Sequence, residues 1–351
     1  MRAKKKLLSL LLGGLIAGLL PTTALAAGTT DTGKGIQTGT ACISGYDIGS
    51  DDYDYIYYGT WDDKPIKWRV LSTDGNGGTY AKTDGSSYDG QPLEQVVESV
   101  GKEALCGTNA ARFPYFPVLI KLIDAKDNLS IQVHPDNDYA RRVENEFGKT
   151  EMWYVLDAAP GAQLIYGFKE KISKEAFKAA IENNTLPQVL NHVDIHKGDV
   201  FFIEAGTVHA IGKGALIAEI QQNSNVTYRV YDYDRRGADG KPRELHVAKA
   251  LDVAVPEPPK YDTQPMGQKE NIGGGSRQLL ARCPLFTVYH YAVSDTVQLA
   301  AGAESFQHIL VTDGYGTIDG RLLQKGDSFL VPAGYGNFAV SGQLEMLVTS
   351  I

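Results

Sequence analysis

The chain is short of cysteine. Cys42, Cys106 and Cys283 are the only three, far apart and with no C-x-x-C pair, which excludes a disulfide-stapled small fold and any thiolate zinc finger. It lacks a basic block beyond residue 6, and its 34 Lys and Arg against 42 Asp and Glu leave a formal charge of −8. Such a surface repels phosphate backbones, so no nucleic-acid partner is expected. A single long apolar run, at the N-terminus, excludes a multi-span membrane protein. Phosphate-loop chemistry is missing too. Gly206, Gly212, Lys213 and Gly214 imitate it, but five residues separate the first two glycines and Gly follows the Lys. There is no G-x-S-x-G elbow and no G-x-G-x-x-G leading from a strand into a helix. What is present is ordinary for a packed globular chain: 43% apolar and 22% charged residues in 351, enough for two domains or slightly more.

The N-terminal run has the form of an export signal. Arg2, Lys4, Lys5 and Lys6 precede the apolar stretch at 7–20, Pro21 interrupts it, and Ala24-Leu25-Ala26 supplies a small-x-small cleavage pattern. The stretch is too short for the ~20 residues of a bilayer span. Residues 1–26 are therefore expected to be a secretory signal peptide, the chain to be exported, and no membrane span to remain after its removal. Residues 27–50 are a Gly-, Thr- and Ser-rich lead-in. Within 51–72, YDYIYYGTW, a turn at 62–65 and IKWRVLS read as short strands. These about 25 residues resemble the start of a domain repeated in exported surface proteins of gut bacteria.

An internal repeat organises the remainder. Lys197-Gly198-Asp199, an apolar strand, Glu204, then Ala205-Gly206 and His209 recur 128 residues later as Lys325-Gly326-Asp327, an apolar strand, Pro332, Ala333-Gly334 and Asn337. Repeated strand–turn–strand units predict two antiparallel jelly-roll barrels. The spacing G-x5-P-x-G-x2-H resembles the second motif of the cupin family. The first copy keeps the histidine and the second replaces it with Asn337, so a metal site is expected in the first barrel only.

Metal-ligand types converge there. In Leu129-Ser130-Ile131-Gln132-Val133-His134, apolar and polar residues alternate, which puts Ser130, Gln132 and His134 on one strand face. A short helix is expected at 136–146. The following strand from Lys149 offers Glu151 with Lys149 on its own face, and His209 closes the set. Gln132, His134, Glu151 and His209 give two imidazole nitrogens and two oxygens, a donor set suited to Zn²⁺, and also to Mn, Fe or Co. Each residue alone reads as an ordinary hydrogen-bonded side chain; the joint spacing carries the metal expectation. Further along, Glu219 sits on the apolar strand 215–222 and Arg229 on 227–231. A carboxylate on such a strand is costly unless paired or facing a cavity. Two readings stand: a Glu219–Arg229 ion pair across a hairpin, or an acid/base group and a substrate clamp beside the metal.

The phrases at 113–140, 148–158, 198–235 and 244–253 together resemble type I mannose-6-phosphate isomerase in its short bacterial, two-cupin form, over about residues 84–351. The resemblance implies a mainly β fold of two cupin (jelly-roll) barrels with a few inserted helices. It implies one Zn²⁺ per chain on Gln132, His134, Glu151 and His209. Arg229 becomes the catalytic arginine, Glu219 and Lys149 the candidates for proton transfer, and Ser130 and Arg235 the residues turned toward the sugar phosphate. The implied reaction interconverts mannose 6-phosphate and fructose 6-phosphate, with a phosphorylated hexose as the partner. The expected plan is a signal peptide at 1–26, a linker and unrelated fragment at 27–83, and a metal-binding catalytic domain at 84–255. A linker at 256–276 and a metal-free C-terminal cupin domain at 277–351 follow. The family it resembles is cytoplasmic and carries a further strand where this chain has its signal and surface-domain fragment. An exported, non-catalytic sugar-binding cupin and an inactive chimera are the alternative readings. A metal dioxygenase cupin fits less well, because Gln132 and the cations Lys149 and Arg229 do not suit it.

Overall fold

The computed structural model describes residues 93–236 and 240–351, preceded by the backbone of short strands at Ser9–Leu11, Tyr55–Trp61, Lys64–Arg69 and Tyr80–Lys82. Apart from the backbone of Ser9–Leu11, the segment read as a signal peptide lies outside the described residues. Tyr55–Trp61 pairs antiparallel with Lys64–Arg69, as the strand reading of 51–72 expects. Among the described residues no helix is long and apolar enough to cross a membrane.

The chain divides into two compact units, and residues 118–264 form the first. Two antiparallel sheets make it. In one, Val200–Ile203, Glu151–Ala158, Ala215–Gln222 and Val118–Asp124 lie side by side. In the other the order is Tyr228–Tyr231, Ile131–Val133, His209–Ile211, Gln163–Phe168 and Leu190–Asp194. The alternation read in 129–134 separates two environments. Ile131 and Val133 pack with Phe177 and Ala250, carried by the helices Lys174–Glu182 and Val247–Val253. A second apolar cluster gathers Trp153, Val155, Tyr166, Phe201, Ile203 and Ile217 from both sheets. The expected helix after His134 spans Asn137–Glu144, and the Asp136 carboxylate caps it by accepting from the Tyr139 N–H at 2.8 Å.

The described residues 93–117 and 265–351 form the other unit. Its sheet is built around Gly336–Ser350, a fifteen-residue strand that pairs with Thr287–Val293, Thr296–Ala301 and Gln307–Ile318. Val297, Ile309, Val331, Phe338, Val340 and Met346 are its buried core. The internal repeat is real at the level of the backbone. Both K-G-D turns place glycine in the left-handed region, Gly198 at φ 96 and Gly326 at φ 91, and each leads into a four-residue buried strand, Val200–Ile203 and Ser328–Val331.

By backbone contacts the two compact units divide at 117/118 and 264/265. Residues 93–117 belong with the C-terminal strands, where the Asn109 N–H donates to Glu304 O at 3.0 Å and the Ala333 N–H to Leu105 O at 2.9 Å. The Pro-rich stretch after 255 belongs with the first unit. Ile172 N–H donates to Pro256 O and Val200 N–H to Thr263 O, each at 3.0 Å. Proline density marks irregular backbone, but an irregular segment can still satisfy its hydrogen bonds against a neighbouring strand.

Candidate metal centre and active site

Residues directly opposite one another in an antiparallel ladder share a face of the sheet. In the five-stranded sheet Arg229 lies opposite Gln132, Gln132 opposite His209, and His209 opposite Tyr166. In the four-stranded sheet Lys121 lies opposite Glu219, Glu219 opposite Trp153, and Gln221 opposite Glu151. Trp153 ties the two rows together. Its ring meets the His209 ring edge-on at 5.3 Å, and its Nε1–H is shared between Glu151 Oε2 and Glu219 Oε2, 3.1 Å from each. The turn before His209 contributes as well. Gly206 has φ +89 and donates its N–H to His134 O at 2.8 Å, which ties the two histidine-bearing segments together.

His134, Glu151 and His209 are buried, with ligand atoms within 4.8 Å of one another. His134 Nε2 is 3.2 Å from Glu151 Oε1, and His209 Nε2 is 3.8 Å from Glu151 Oε2. Both imidazoles use Nδ1–H elsewhere, on Val226 O at 2.9 Å and Thr207 O at 2.8 Å. Burial, reinforced by the Lys149 ammonium, pushes the His134 pKa down to about 3. Burial also lowers His209. Burial by itself would raise Glu151, yet the Lys149 charge beside it holds it well below the usual carboxylate range. Two nitrogen lone pairs therefore face a carboxylate, acceptor against acceptor. His134 Nε2 is buried without a hydrogen bond. Such a cluster is unfavourable alone and suits a divalent cation that accepts all the lone pairs at once. Gln132 Nε2 lies 3.4 Å from His209 Nε2. A half-turn of that carboxamide presents its oxygen to the same point. The four expected ligands thus converge.

The surrounding charges are arranged differently from one sequence reading. Glu219 and Arg229 belong to different sheets and do not form the cross-hairpin ion pair. Glu219 instead pairs with Lys121, Nζ to Oε1 at 2.7 Å, and Lys121 also donates to Gln221 Oε1 at 2.6 Å. Burial works against the Lys121 ammonium, but the Glu219 and Glu151 carboxylates raise its pKa. Lys121 and Trp153 are the residues that sequence reasoning missed. The signal for Lys121 was there, a lysine inside the apolar run Val118–Asp124, where an unpaired ammonium would be costly. Lys149 stands where expected, buried, with Nζ 3.0 Å from Glu151 Oε1. Arg229 donates through Nη1 to Glu244 O at 3.1 Å. Ser130 is buried two residues before Gln132. Arg235 reaches the same segment, donating through Nη1 to Asn128 O at 2.8 Å. In the C-terminal unit Asn337, at the repeat position of His209, is exposed.

Comparison with known proteins gives the family. Residues 73–157 match the family described as phosphomannose isomerase type I, catalytic domain, and residues 277–351 the mannose-6-phosphate isomerase cupin domain. Mannose-6-phosphate isomerase of Streptococcus mutans is 37% identical over 266 residues, spanning 75% of this chain and 81% of its own. The crystal structure of the Bacillus subtilis mannose 6-phosphate isomerase superposes with a TM-score of 0.71 at 33% identity, covering 84% of this chain and 92% of that one. A zinc-bound mannose 6-phosphate isomerase structure, 16% identical with a TM-score of 0.59 over 78% of this chain and 87% of its own, shares the fold. The fold and these relatives establish that this chain belongs to the type I mannose-6-phosphate isomerase family.

Proposed function

We propose that the chain interconverts mannose 6-phosphate and fructose 6-phosphate at this centre, with one Zn²⁺ held by Gln132, His134, Glu151 and His209. The observation that carries the reading is the buried cluster of two imidazoles and a carboxylate, which sits beside ionisable groups suited to proton transfer. Bound there, zinc supplies Lewis-acid polarisation of the sugar oxygens. The chain's own residues supply the rest.

Moving a carbonyl between C1 and C2 requires removal of a weakly acidic proton and its return to the adjacent carbon. Glu219 and Lys149 are the groups offered for that step. Glu219 is oriented by Lys121 at one oxygen and by the Trp153 indole at the other. Lys149 stands on the opposite side of Glu151 from Trp153, at Oε1 where the indole is at Oε2. Arg229, on the face of Gln132, stabilises negative charge developing on the substrate, and Ser130 and Arg235 take the phosphate. Burial of the ligands excludes water, which strengthens each of these interactions. Acid/base groups around the cluster favour turnover over a bare sugar-binding module.

A coupled assay with mannose 6-phosphate and zinc tests the reading. Turnover is expected from the purified chain, and both a chelator and His209→Ala should abolish it; a folded, zinc-loaded chain without turnover would sink the proposal. Glu219→Gln keeps the shape of the side chain but removes its basicity. It is expected to lower kcat by about 10²–10⁴-fold, the usual contribution of general acid–base catalysis, whereas an unchanged kcat would move the proton transfer to Lys149. We further propose that residues 1–26 direct export. N-terminal sequencing of protein recovered outside the cytoplasm should begin at Ala27, and an intact Met1 on all the protein would refute this.

A further inference from the structure

Beside Arg235 lies a charge device whose other members, Asp232 and Arg243, the isomerase reading does not use. Asp232 is buried, and its carboxylate gathers two arginines from the two ends of one loop. Arg235 donates to Oδ1 through Nη2 at 2.5 Å and Nε at 3.1 Å. Arg243 grips the carboxylate with a fork, Nε on Oδ2 at 2.5 Å and Nη2 on Oδ1. The loop is pinned by a backbone bridge between Arg236 and Pro242. It is also fastened to Arg229, whose carbonyl accepts the His246 N–H at 2.8 Å and whose own N–H donates to His246 Nδ1 at 3.2 Å.

Two guanidiniums on one carboxylate leave one positive charge uncompensated, and Arg229, three residues before Asp232 and tied to the loop's end through His246, adds a second. The crowding is felt. Burial lowers the Arg229 pKa, and the nearby Arg243 and Arg235 charges lower it further. Arg229 Nε is buried without a hydrogen bond. Like charges gathered in a partly desolvated place raise the free energy of the empty protein, and an anion carrying two charges relieves it. A phosphate monoester dianion matches that surplus in sign and in magnitude. Position agrees as well: Arg235 also bonds the backbone at Asn128, two residues from Ser130, and Arg229 shares the sheet face of the ligand Gln132.

We propose, on the isomerase reading, that Asp232 and Arg243 are positioning residues which fix Arg235 beside Arg229 as a doubly positive receptor and so select a phosphate dianion. The carboxylate sets the plane of each guanidinium. Arg243 occupies the carboxylate edge that would otherwise let Arg235 rotate, and it adds the second surplus charge.

The test is steady-state kinetics of the full chain and its variants, with inorganic phosphate as a competitive inhibitor. Arg243→Gln should raise KM for mannose 6-phosphate and the inhibition constant for phosphate by about tenfold each, the loss of one charge-assisted interaction, while kcat falls by a smaller factor and zinc content holds. Arg243→Lys, which keeps the charge without the fork, should recover part of both. If Arg243→Gln does not fold, Arg243→Lys and Asp232→Asn carry the comparison. A loss confined to kcat, or phosphate inhibition equal in all the chains, overturns the proposal. If the unchanged chain shows no isomerase activity, that reading falls, and thermal unfolding decides this one alone. Phosphate that raises the Tm of the unchanged chain but less that of Arg243→Gln supports the receptor, and equal shifts reject it.

Discussion

Two neutral imidazoles and a carboxylate turn their lone pairs toward one another in the buried centre of the first unit, and much of the architecture around them follows from making that tolerable. Each imidazole is locked by an Nδ1–H bond to a backbone carbonyl, Val226 for His134 and Thr207 for His209. Neither ring can turn its proton inward without giving up that bond. Glu151 lies in a place where an isolated carboxylate costs several kcal/mol, offset here by Lys149 and the Trp153 N–H. What is left over is a need for one cation among ligand atoms that lie within 4.8 Å of one another.

The two-sheet construction explains how such distant residues meet. His134 and His209 are 75 residues apart in the chain, but Gln132 and His209 are direct cross-strand partners. Glu151 comes from the other sheet and is paired with Gln221. The same row logic sets Lys121 against Glu219, so a second ion pair lies one step along the sheet from the metal ligands. Gln132, His209 and Arg229 thus lie along one ladder and Glu151 and Glu219 along the other, with Trp153 bridging between them.

Much of this was legible in the sequence, for a physical reason. Strand alternation has a period of two, so Q-x-H declares that both side chains share a face without any knowledge of the fold. The A-G turn three residues before His209 likewise fixes where a strand restarts. Partners across strands were not legible. Glu219 and Arg229 lie close in sequence and invited pairing, yet they belong to separate sheets, and the true partner, Lys121, is 98 residues away. Arg243 was hidden for a similar reason, since only the loop closing on Asp232 gives it a role. The stretch 256–264 reads as a linker because proline content reports irregular backbone, not which strand that backbone is bonded to.

The central claim is that this cluster is a metal centre made of imidazole and oxygen donors from two sheets. Zinc-edge X-ray absorption spectroscopy on the zinc-loaded chain tests it most directly. Two imidazole ligands with oxygen completing the shell and no sulfur are expected, with the loss of one imidazole signal in His134→Ala or His209→Ala. A sulfur scatterer, or an imidazole count unchanged by either substitution, would place the metal elsewhere and contradict it.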